Sequence, residues 1–126
     1  MPGNITIAAG GSHTKLTGSA VSPRIQLEDS PPVNSCRPSV DVLFDSAATI
    51  FGGRIIATVL TGMGNDGAKG SANIKSKGGA VIVQDEETSV VWGMPAAVIK
   101  LGSADEMLPL DKIVGRWVEI IDGAAK

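Results

Sequence analysis

Residues 54–84 read RIIATVLTGMGNDGAKGSANIKSKGGAVIVQ, and this stretch constrains the fold more than any other part of the chain. Its first part, 54–60, is almost continuously apolar, as in a strand that is covered on both faces. A weak helix is predicted at 67–77, ended by two glycines, and a second buried strand at 80–84. Two buried strands joined by a helix imply a right-handed crossover and a parallel sheet. The stretch therefore predicts a layered α/β fold.

Shorter signals lie on both sides of this unit. Apolar residues recur with the helical period at 39–51, and two glycines follow them. In the proline-rich run SPPVNSCRP the residue before each proline is disfavoured in the helical region, so 30–38 is predicted to be an extended loop. The further predicted elements are strands at 4–9 and 24–28 and helices at 95–101 and 110–121.

Length and composition bound the class of protein. The 126 residues suffice for one compact domain but not for two. The formal net charge is −2 and Lys and Arg form no cluster, so a nucleic-acid surface is not expected. No apolar run approaches the roughly 20 residues that span a bilayer, so membrane insertion is not expected either. Cys36 is the only cysteine and cannot form an internal disulfide, which fits a reducing cytoplasm.

Metal ligands are scarce in this sequence. His13 is the only histidine, and no Cys/His cluster accompanies it. A structural zinc site uses about four such ligands at close spacing. The sequence therefore predicts no metal site, and no cofactor unless its glycines bind one.

The glycine-rich turn contains a G-x-G-x-x-G at Gly62, Gly64 and Gly67. In dinucleotide-binding proteins such glycines let a pyrophosphate approach the backbone at a helix N-terminus. Asp85, after the second strand, lies near the position of a ribose-binding acid. However, Asp66 would place a negative charge beside the pyrophosphate, at a cost on the order of a few kcal/mol. A non-catalytic dinucleotide-binding module and a tight turn without a ligand both stay open as alternatives.

Asp66 offers a third interpretation of the same turn. It lies just past the C-terminal end of a predicted buried strand, where open α/β sheets place their active sites. A carboxylate there could accept the Nδ1–H of a histidine, which is the supporting role in a Ser-His-Asp triad. Spacing alone does not decide among the three interpretations.

Longer motifs resemble one known family. The segments PPVNSCRPSVDVLFDSAA, VLTGMGNDGAKG and VIVQDEETSVVWGMPAAVIKLGSADEMLPLDKI resemble, in this order, the catalytic domain of the chemotaxis protein-glutamate methylesterases. PGNITIAAGGSH is similar to the strand and turn that precede them in that family. The resemblance covers nearly the whole chain and implies a three-layer, doubly wound, mostly parallel α/β domain.

The same resemblance implies an activity. The family consists of esterases with a Ser-His-Asp triad that remove methyl groups from glutamate methyl esters on chemoreceptors, and many members also deamidate receptor glutamines. A receiver domain usually precedes the esterase domain and regulates it. The expected partners are therefore the methylated cytoplasmic segment of a chemoreceptor and a receiver domain, and the expected location is the cytoplasm.

The resemblance also implies roles for individual residues. The motif TGMGNDG carries the family's catalytic aspartate, which falls on Asp66, and the backbone N–H of Met63 matches a position implicated in the oxyanion hole. His13 matches a histidine near the active site that is not the triad histidine. Asp85 and Met94 belong to motifs near the cleft and, with His13, are candidate substrate-binding residues.

Other polar residues have simpler interpretations. Ser12 and His13 suit a polar turn, and Ser39 suits a cap at the start of its helix. Asp41 and Asp45, one turn apart on that helix, are predicted to form a solvated face. For Trp92 the sequence allows either packing on the surface or contact with a substrate. These residues are not predicted to take part in catalysis.

The chain departs from the family at its beginning. In the family the nucleophilic serine, in G-x-S-x-G-G, and the triad histidine, in Q-H-M-P, precede the part that Pro2 and Gly3 match, and neither motif occurs here. The expectation is a single partial catalytic domain, 1–126, that lacks its first strands, carries only the triad acid and is inactive alone. Loss of a central strand exposes a sheet edge, so self-association through that edge is predicted.

Overall fold

The computed structural model describes residues 3–125, with side chains through residue 123, as five strands and four helices. In chain order the elements are β1 (His13–Gly18), β2 (Pro23–Glu28), α1 (Val40–Phe51), β3 (Ile56–Val59), α2 (Ala68–Ser76), β4 (Ala80–Gln84), α3 (Met94–Lys100), β5 (Glu106–Leu108) and α4 (Leu110–Ala125). The four predicted helices and the strands predicted at 24–28, 54–60 and 80–84 are confirmed, with ends displaced by a few residues. The short strand β5 was not predicted.

A three-stranded parallel sheet in the order β3-β4-β5 lies between two layers of helix. The buried residues on one of its faces come from β3, β4 and the first three helices. They are Ala48, Ala57, Val59, Ala68, Ile74, Val81, Val83 and Val98. Helix α4 covers the opposite face, where Trp117 Nε1 donates a hydrogen bond of 2.9 Å to Thr58 Oγ1. The predicted three-layer, mostly parallel α/β class is therefore confirmed.

The strand predicted at 4–9 is wrong, because this segment is irregular. Ile5 and Ile7 are 95% and 90% exposed, and within residues 3–125 no strand lies beside them to accept their backbone hydrogen bonds. The first strand is instead β1, which pairs antiparallel with β2. This hairpin packs on α1, where Leu16 N donates to Ser46 Oγ at 2.9 Å.

Strand β3 has a neighbour on one side only. It pairs with β4, and among residues 3–125 no strand pairs with its other edge. The expected unpaired sheet edge is thus present in the described part of the chain, whereas self-association through it stays a prediction. None of the described helices is both long and apolar enough to cross a membrane.

Gly70 explains why α2 gives only a weak helical signal. A Cβ atom at this position would lie 2.6 Å from Phe44 Cβ and 3.0 Å from Asp41 Oδ1, both on α1. The missing side chain therefore lets the two helices approach closely, at the expense of helix propensity. This close approach brings the beginning of α1 to the beginning of α2, and the candidate site lies there.

Candidate active site

Asp66 lies in the turn between β3 and α2 and is 4% exposed. Its Oδ1 accepts hydrogen bonds from Ser39 Oγ at 2.7 Å, Asn34 Nδ2 at 3.0 Å and the Asp41 backbone N–H at 3.2 Å. Its Oδ2 accepts the backbone N–H of Val40 at 2.7 Å. Since Val40 and Asp41 begin α1, the Asp66 carboxylate caps a helix that lies far from it in sequence.

The protonation of Asp66 is set by two opposing effects. Burial alone would raise its pKa, because a charged carboxylate is poorly solvated there. The hydrogen bonds from Val40, Ser39, Asn34 and Asp41 favour the charged form and outweigh burial, so the pKa of Asp66 is lowered. The positive end of the α1 dipole acts in the same direction. Asp66 is therefore an ionised carboxylate at neutral pH.

Asp41 makes the reciprocal contact at the start of α2. Its Oδ1 accepts the backbone N–H groups of Gly67 at 3.1 Å and Gly70 at 2.7 Å. Asp41 is 5% exposed, so its predicted place on a solvated face is wrong. The reason is that α2 and the loop around Asn34 cover it. Asp45 is exposed, as predicted.

Asn34 joins the two aspartates. Its Nδ2 donates to Asp41 Oδ2 at 2.7 Å and to Asp66 Oδ1 at 3.0 Å. Asn34 and Ser35 have φ of 55° and 62° in a tight turn that backbone pairing of Val33 with Cys36 closes. The loop at 30–38 is thus non-helical, as predicted, but it turns sharply rather than staying extended. Asparagine adopts the left-handed region more readily than most residues, which suits this turn.

Ser39 occupies the N-cap position of α1, as predicted, but its hydroxyl does not cap the helix. The hydroxyl donates to Asp66, and the carboxylate of Asp66 accepts the first helical N–H groups instead. An ionised acceptor forms stronger hydrogen bonds with these groups than a neutral hydroxyl does. The sequence could not reveal this, because Ser39 is itself a favoured N-cap residue.

His13 is fully buried and begins β1, so the prediction of a polar turn residue is wrong for it. Its Nδ1 lies 3.1 Å from the Ser39 backbone N–H, which donates to it, and its Nε2 lies 3.0 Å from the Pro31 carbonyl oxygen. Nε2 therefore carries the proton and donates it to Pro31. With both nitrogens bonded inside the protein, His13 has no surface with which to contact a substrate.

Ser39, His13 and Asp66 are neighbours, yet they do not form a catalytic triad. The imidazole of His13 is bonded to the backbone of Ser39, and the hydroxyl of Ser39 donates to Asp66. A triad requires the hydroxyl to bond to the histidine and the histidine to bond to the carboxylate. The Ser39 side chain is also buried, so no ester could reach it.

Met63 lies at the exposed tip of the same turn, with 83% of its surface accessible. The backbone of Gly62 holds the turn in place. Its N–H donates to Val91 O at 2.9 Å, and its carbonyl accepts the N–H groups of Gly93 at 3.0 Å and Met94 at 2.9 Å. Among the described residues no acceptor is recorded for the Met63 N–H. A fixed turn with a free N–H can donate a hydrogen bond to an oxyanion.

Met94 packs against this turn, Asp85 lies in a different turn, and neither side chain bonds to Asp66. Met94 is half-buried, and its Sδ packs so closely on Gly62 that a side chain at residue 62 would collide with it. Asp85 Oδ1 accepts the backbone N–H of Thr88 at 3.0 Å and its hydroxyl at 2.7 Å, which closes the turn after β4. The substrate-binding roles of both residues stay predictions.

A groove of about 670 Å³ adjoins Asp41, between the beginning of α2 and α3. Trp92 lines it and donates from Nε1 to the Gln84 carbonyl at 2.9 Å. Lys69 and Lys100 also line it. Trp92 is thus tied to the end of β4 by a partly buried hydrogen bond, and contact with a substrate stays a prediction.

The dinucleotide alternative conflicts with the geometry of the glycine turn. A pyrophosphate would need the free N–H groups at the start of α2, but those of Gly67 and Gly70 already bond to Asp41. Asp41 is buried and ionisable, so a phosphate would have to displace it and then face a second carboxylate at Asp66. Within the described residues, no group of three or more His, Cys, Asp or Glu side chains is arranged to hold a metal ion.

Comparison with known proteins decides the family. The sequence model of the family described as CheB methylesterase matches residues 1–117. The chain belongs to the CheB methylesterase family. This membership confirms the resemblance found in its motifs.

Curated relatives agree with this assignment. A protein-glutamate methylesterase/protein-glutamine glutaminase of group 2 operon from Rhodopseudomonas palustris is 49% identical over 122 residues, which are 97% of this chain and 31% of the relative. A protein-glutamate methylesterase/protein-glutamine glutaminase 2 from Caulobacter vibrioides is 51% identical over 114 residues, which are 90% of this chain and 33% of the relative. The chain thus spans about a third of the length of the relatives it matches.

A solved structure confirms the CheB fold. The crystal structure of the Thermotoga maritima CheB methylesterase catalytic domain aligns with a TM-score of 0.87 and 43% sequence identity. The alignment covers 90% of this chain and 60% of the Thermotoga chain. The α/β layers described above are therefore those of a CheB catalytic domain, and the chain corresponds to a part of that domain.

Proposed function

We propose that this chain supplies the acid member of a Ser-His-Asp triad in a protein-glutamate methylesterase, and that the acid is Asp66. The observation that carries the proposal is the Asp66 carboxylate, which is buried and accepts four hydrogen bonds in the turn between β3 and α2. Family membership supports the reaction class. The nucleophile and the base would come from polypeptide outside these 126 residues, since His13 is the only histidine among them and is engaged elsewhere.

Asp66 would act on the base histidine. One of its oxygens, Oδ1, accepts three hydrogen bonds, whereas Oδ2 accepts only the Val40 N–H within the described residues and retains capacity for another donor. The Nδ1–H of the base would bond to Oδ2, which fixes the tautomer whose Nε2 takes the serine proton. When the serine attacks the ester carbonyl, the negative charge of Asp66 would stabilise the imidazolium that forms.

The turn that carries Asp66 would also serve the oxyanion. As the serine adds to the carbonyl, its oxygen becomes negatively charged, and the free N–H of Met63 would donate to it. The bonds that hold Gly62 to residues 91–94 keep this donor in position before the reaction, which is what makes such donors effective. Collapse of the intermediate releases methanol and leaves an acyl-serine, which water then hydrolyses to the free carboxylate.

The substrate would be a glutamate methyl ester on the cytoplasmic segment of a chemoreceptor. Deamidation of glutamine follows the same acyl transfer with ammonia as the leaving group, and the names of the relatives include both activities. In the proposal the chain is one partial catalytic domain, 1–126, a receiver domain regulates the complete protein, and the protein acts in the cytoplasm. The lone Cys36 fits a reducing cytoplasm.

Reading the coding DNA upstream of Met1 is the first test. An in-frame strand, a G-x-S-x-G turn and a later histidine are expected, and the complete gene product should release methanol from methylated receptor. The 126-residue chain alone should release none. A stop codon followed by a genuine start site at Met1, or a complete product without esterase activity, would overturn the proposal.

A further inference from the structure

We infer that Asn34 and Ser39 are positioning residues for the triad, which hold the Asp66 carboxylate so that Oδ2 is left for the base histidine. The inference rests on the proposed function. Both side chains donate to the same oxygen, Oδ1, at 3.0 Å and 2.7 Å. In this inference neither side chain contacts the reacting atoms, and both act on the base through the Asp66 carboxylate.

Saturation of Oδ1 defines the orientation of the carboxylate. With the Asp41 backbone N–H, three donors surround this oxygen, whereas a single backbone N–H reaches Oδ2. Rotating the carboxylate to exchange its oxygens would break short, charge-assisted hydrogen bonds. A base that approaches Asp66 therefore meets the same oxygen in each catalytic cycle, and pre-positioned groups of this kind lower the barrier by avoiding reorganisation.

Asn34 has a second effect, because its Nδ2 lies between two buried carboxylates. It donates to Asp41 Oδ2 at 2.7 Å as well as to Asp66. A single amide that donates to both carboxylates fixes the position of each relative to the other. The backbone N–H groups of Gly67 and Gly70, which donate to Asp41 Oδ1, hold the Asp41 carboxylate at the other end of this bridge.

The chain contains a matched control for Asn34. Asn73 Nδ2 donates to Asp45 Oδ1 at 3.2 Å, which is also an amide–carboxylate contact, but one that joins α2 to α1 on the exposed side. The variant Asn34→Gly suits the test, because glycine tolerates the φ of 55° at this position and only the amide side chain is lost. Ser39→Ala removes the hydroxyl, and Ser39→Thr keeps one.

The test is a site-resolved carboxyl titration of the 126-residue chain by NMR. The pKa of Asp66 should rise in Asn34→Gly and in Ser39→Ala, remain unchanged in Asn73→Ala, and return toward the parent in Ser39→Thr. Dispersed amide spectra verify that each variant is folded. If Ser39→Ala does not fold, the Asp66 pKa in Asn34→Gly alone tests the inference. An Asp66 pKa that is unchanged in Asn34→Gly would overturn the inference.

Kinetics of the complete gene product separate this inference from the proposed function. Asn34→Gly should lower kcat by about tenfold with little change in KM, which is the signature of lost transition-state stabilisation. Asn73→Ala should have parent kcat. Normal kcat in Asn34→Gly together with an inactive Asp66→Asn would overturn the positioning role alone, whereas normal kcat in Asp66→Asn would overturn the triad itself.

Discussion

Asp66 caps α1, the helix that contains Asp41, and Asp41 caps α2, the helix that follows Asp66. Asp66, just before α2, accepts the N–H groups of Val40 and Asp41 at the start of α1, while Asp41, in the first turn of α1, accepts those of Gly67 and Gly70 at the start of α2. Two positive helix ends thus face two carboxylates at one point. This exchange connects the proposed catalytic acid directly to the stability of the domain.

Replacing the proposed triad acid should abolish catalysis in the complete gene product. Asp66→Asn is expected to reduce the rate of methanol release by about 10⁴-fold, because the base would lose its orienting carboxylate and adopt the wrong tautomer. Initial rates should be normalised to the folded fraction, since Asp66 also caps α1. The matched control is Asp45→Asn on the exposed face of α1, for which the parent rate is expected. Near-normal turnover by Asp66→Asn would be incompatible with the assignment.

Removing the reciprocal cap should destabilise the chain. In Asp41→Ala the N–H groups of Gly67 and Gly70 and one bond of Asn34 lose their buried acceptor, so the free energy of unfolding should fall by on the order of 2 to 3 kcal/mol. Urea denaturation measures this change. Asp45→Ala, one turn along the same helix but exposed, should change stability by less than about 0.5 kcal/mol. Equal effects at the two positions would contradict the structure.

Gly70 should not tolerate a methyl group, although alanine is the better helix former. Gly70→Ala places a Cβ against Phe44 and Asp41, so a loss of about 1 to 3 kcal/mol is expected from overpacking. Gly115 in α4 has no atom within 4 Å of the same hypothetical Cβ, and Gly115→Ala should stabilise by up to about 1 kcal/mol. Thermal or urea unfolding should show that Gly70→Ala lowers the free energy of unfolding and that Gly115→Ala raises it. Changes of the same sign would contradict the helix packing described above.

Stability should depend on pH through Asp66. Its pKa in the folded chain lies below the unfolded value of 3.8, so ionised Asp66 stabilises the fold above that value, and the stabilisation is lost as the pH falls through the folded pKa. Urea unfolding should be followed at a series of acidic pH values. In Asp66→Asn the acid-induced loss of stability should be smaller than in the parent chain. If the free energy of unfolding fell equally with pH in the two proteins, Asp66 would not be the source of this dependence.

The free edge of β3 and the exposed N-terminal isoleucines should promote self-association. Sedimentation of the 126-residue chain is expected to show mass that increases with concentration, because an unpaired edge strand and exposed apolar side chains both favour contact with a second copy. The double variant Ile5→Lys, Ile7→Lys should weaken the association. Val21→Lys is the control, since Val21 is 96% exposed but lies in the turn between β1 and β2. A monodisperse monomer at high concentration would refute the prediction.

The sequence predicted those features that depend on local pattern. Period-3.6 apolar residues located α1, and the glycine turn located Asp66 beside a buried strand. The strand at 4–9 failed because alternation alone cannot supply a pairing partner. The hydrogen-bond partners of Asp66 were not predicted for a similar reason, since these contacts are made between segments far apart in the sequence. Asn34 and Asp41 carry no signal that distinguishes them from ordinary turn and surface residues, since their role arises only when two helix ends meet.

The reciprocal capping by Asp41 and Asp66 limits which substitutions members of this family can accept during evolution. A chain that had lost its serine and histidine would still be under pressure to keep both aspartates, because losing either one leaves the start of a helix without its buried acceptor. The aspartate of the motif TGMGNDG would therefore persist in descendants that no longer hydrolyse esters. Its presence marks the architecture of the domain, and the search for active enzymes among such sequences should begin with the nucleophile and the base.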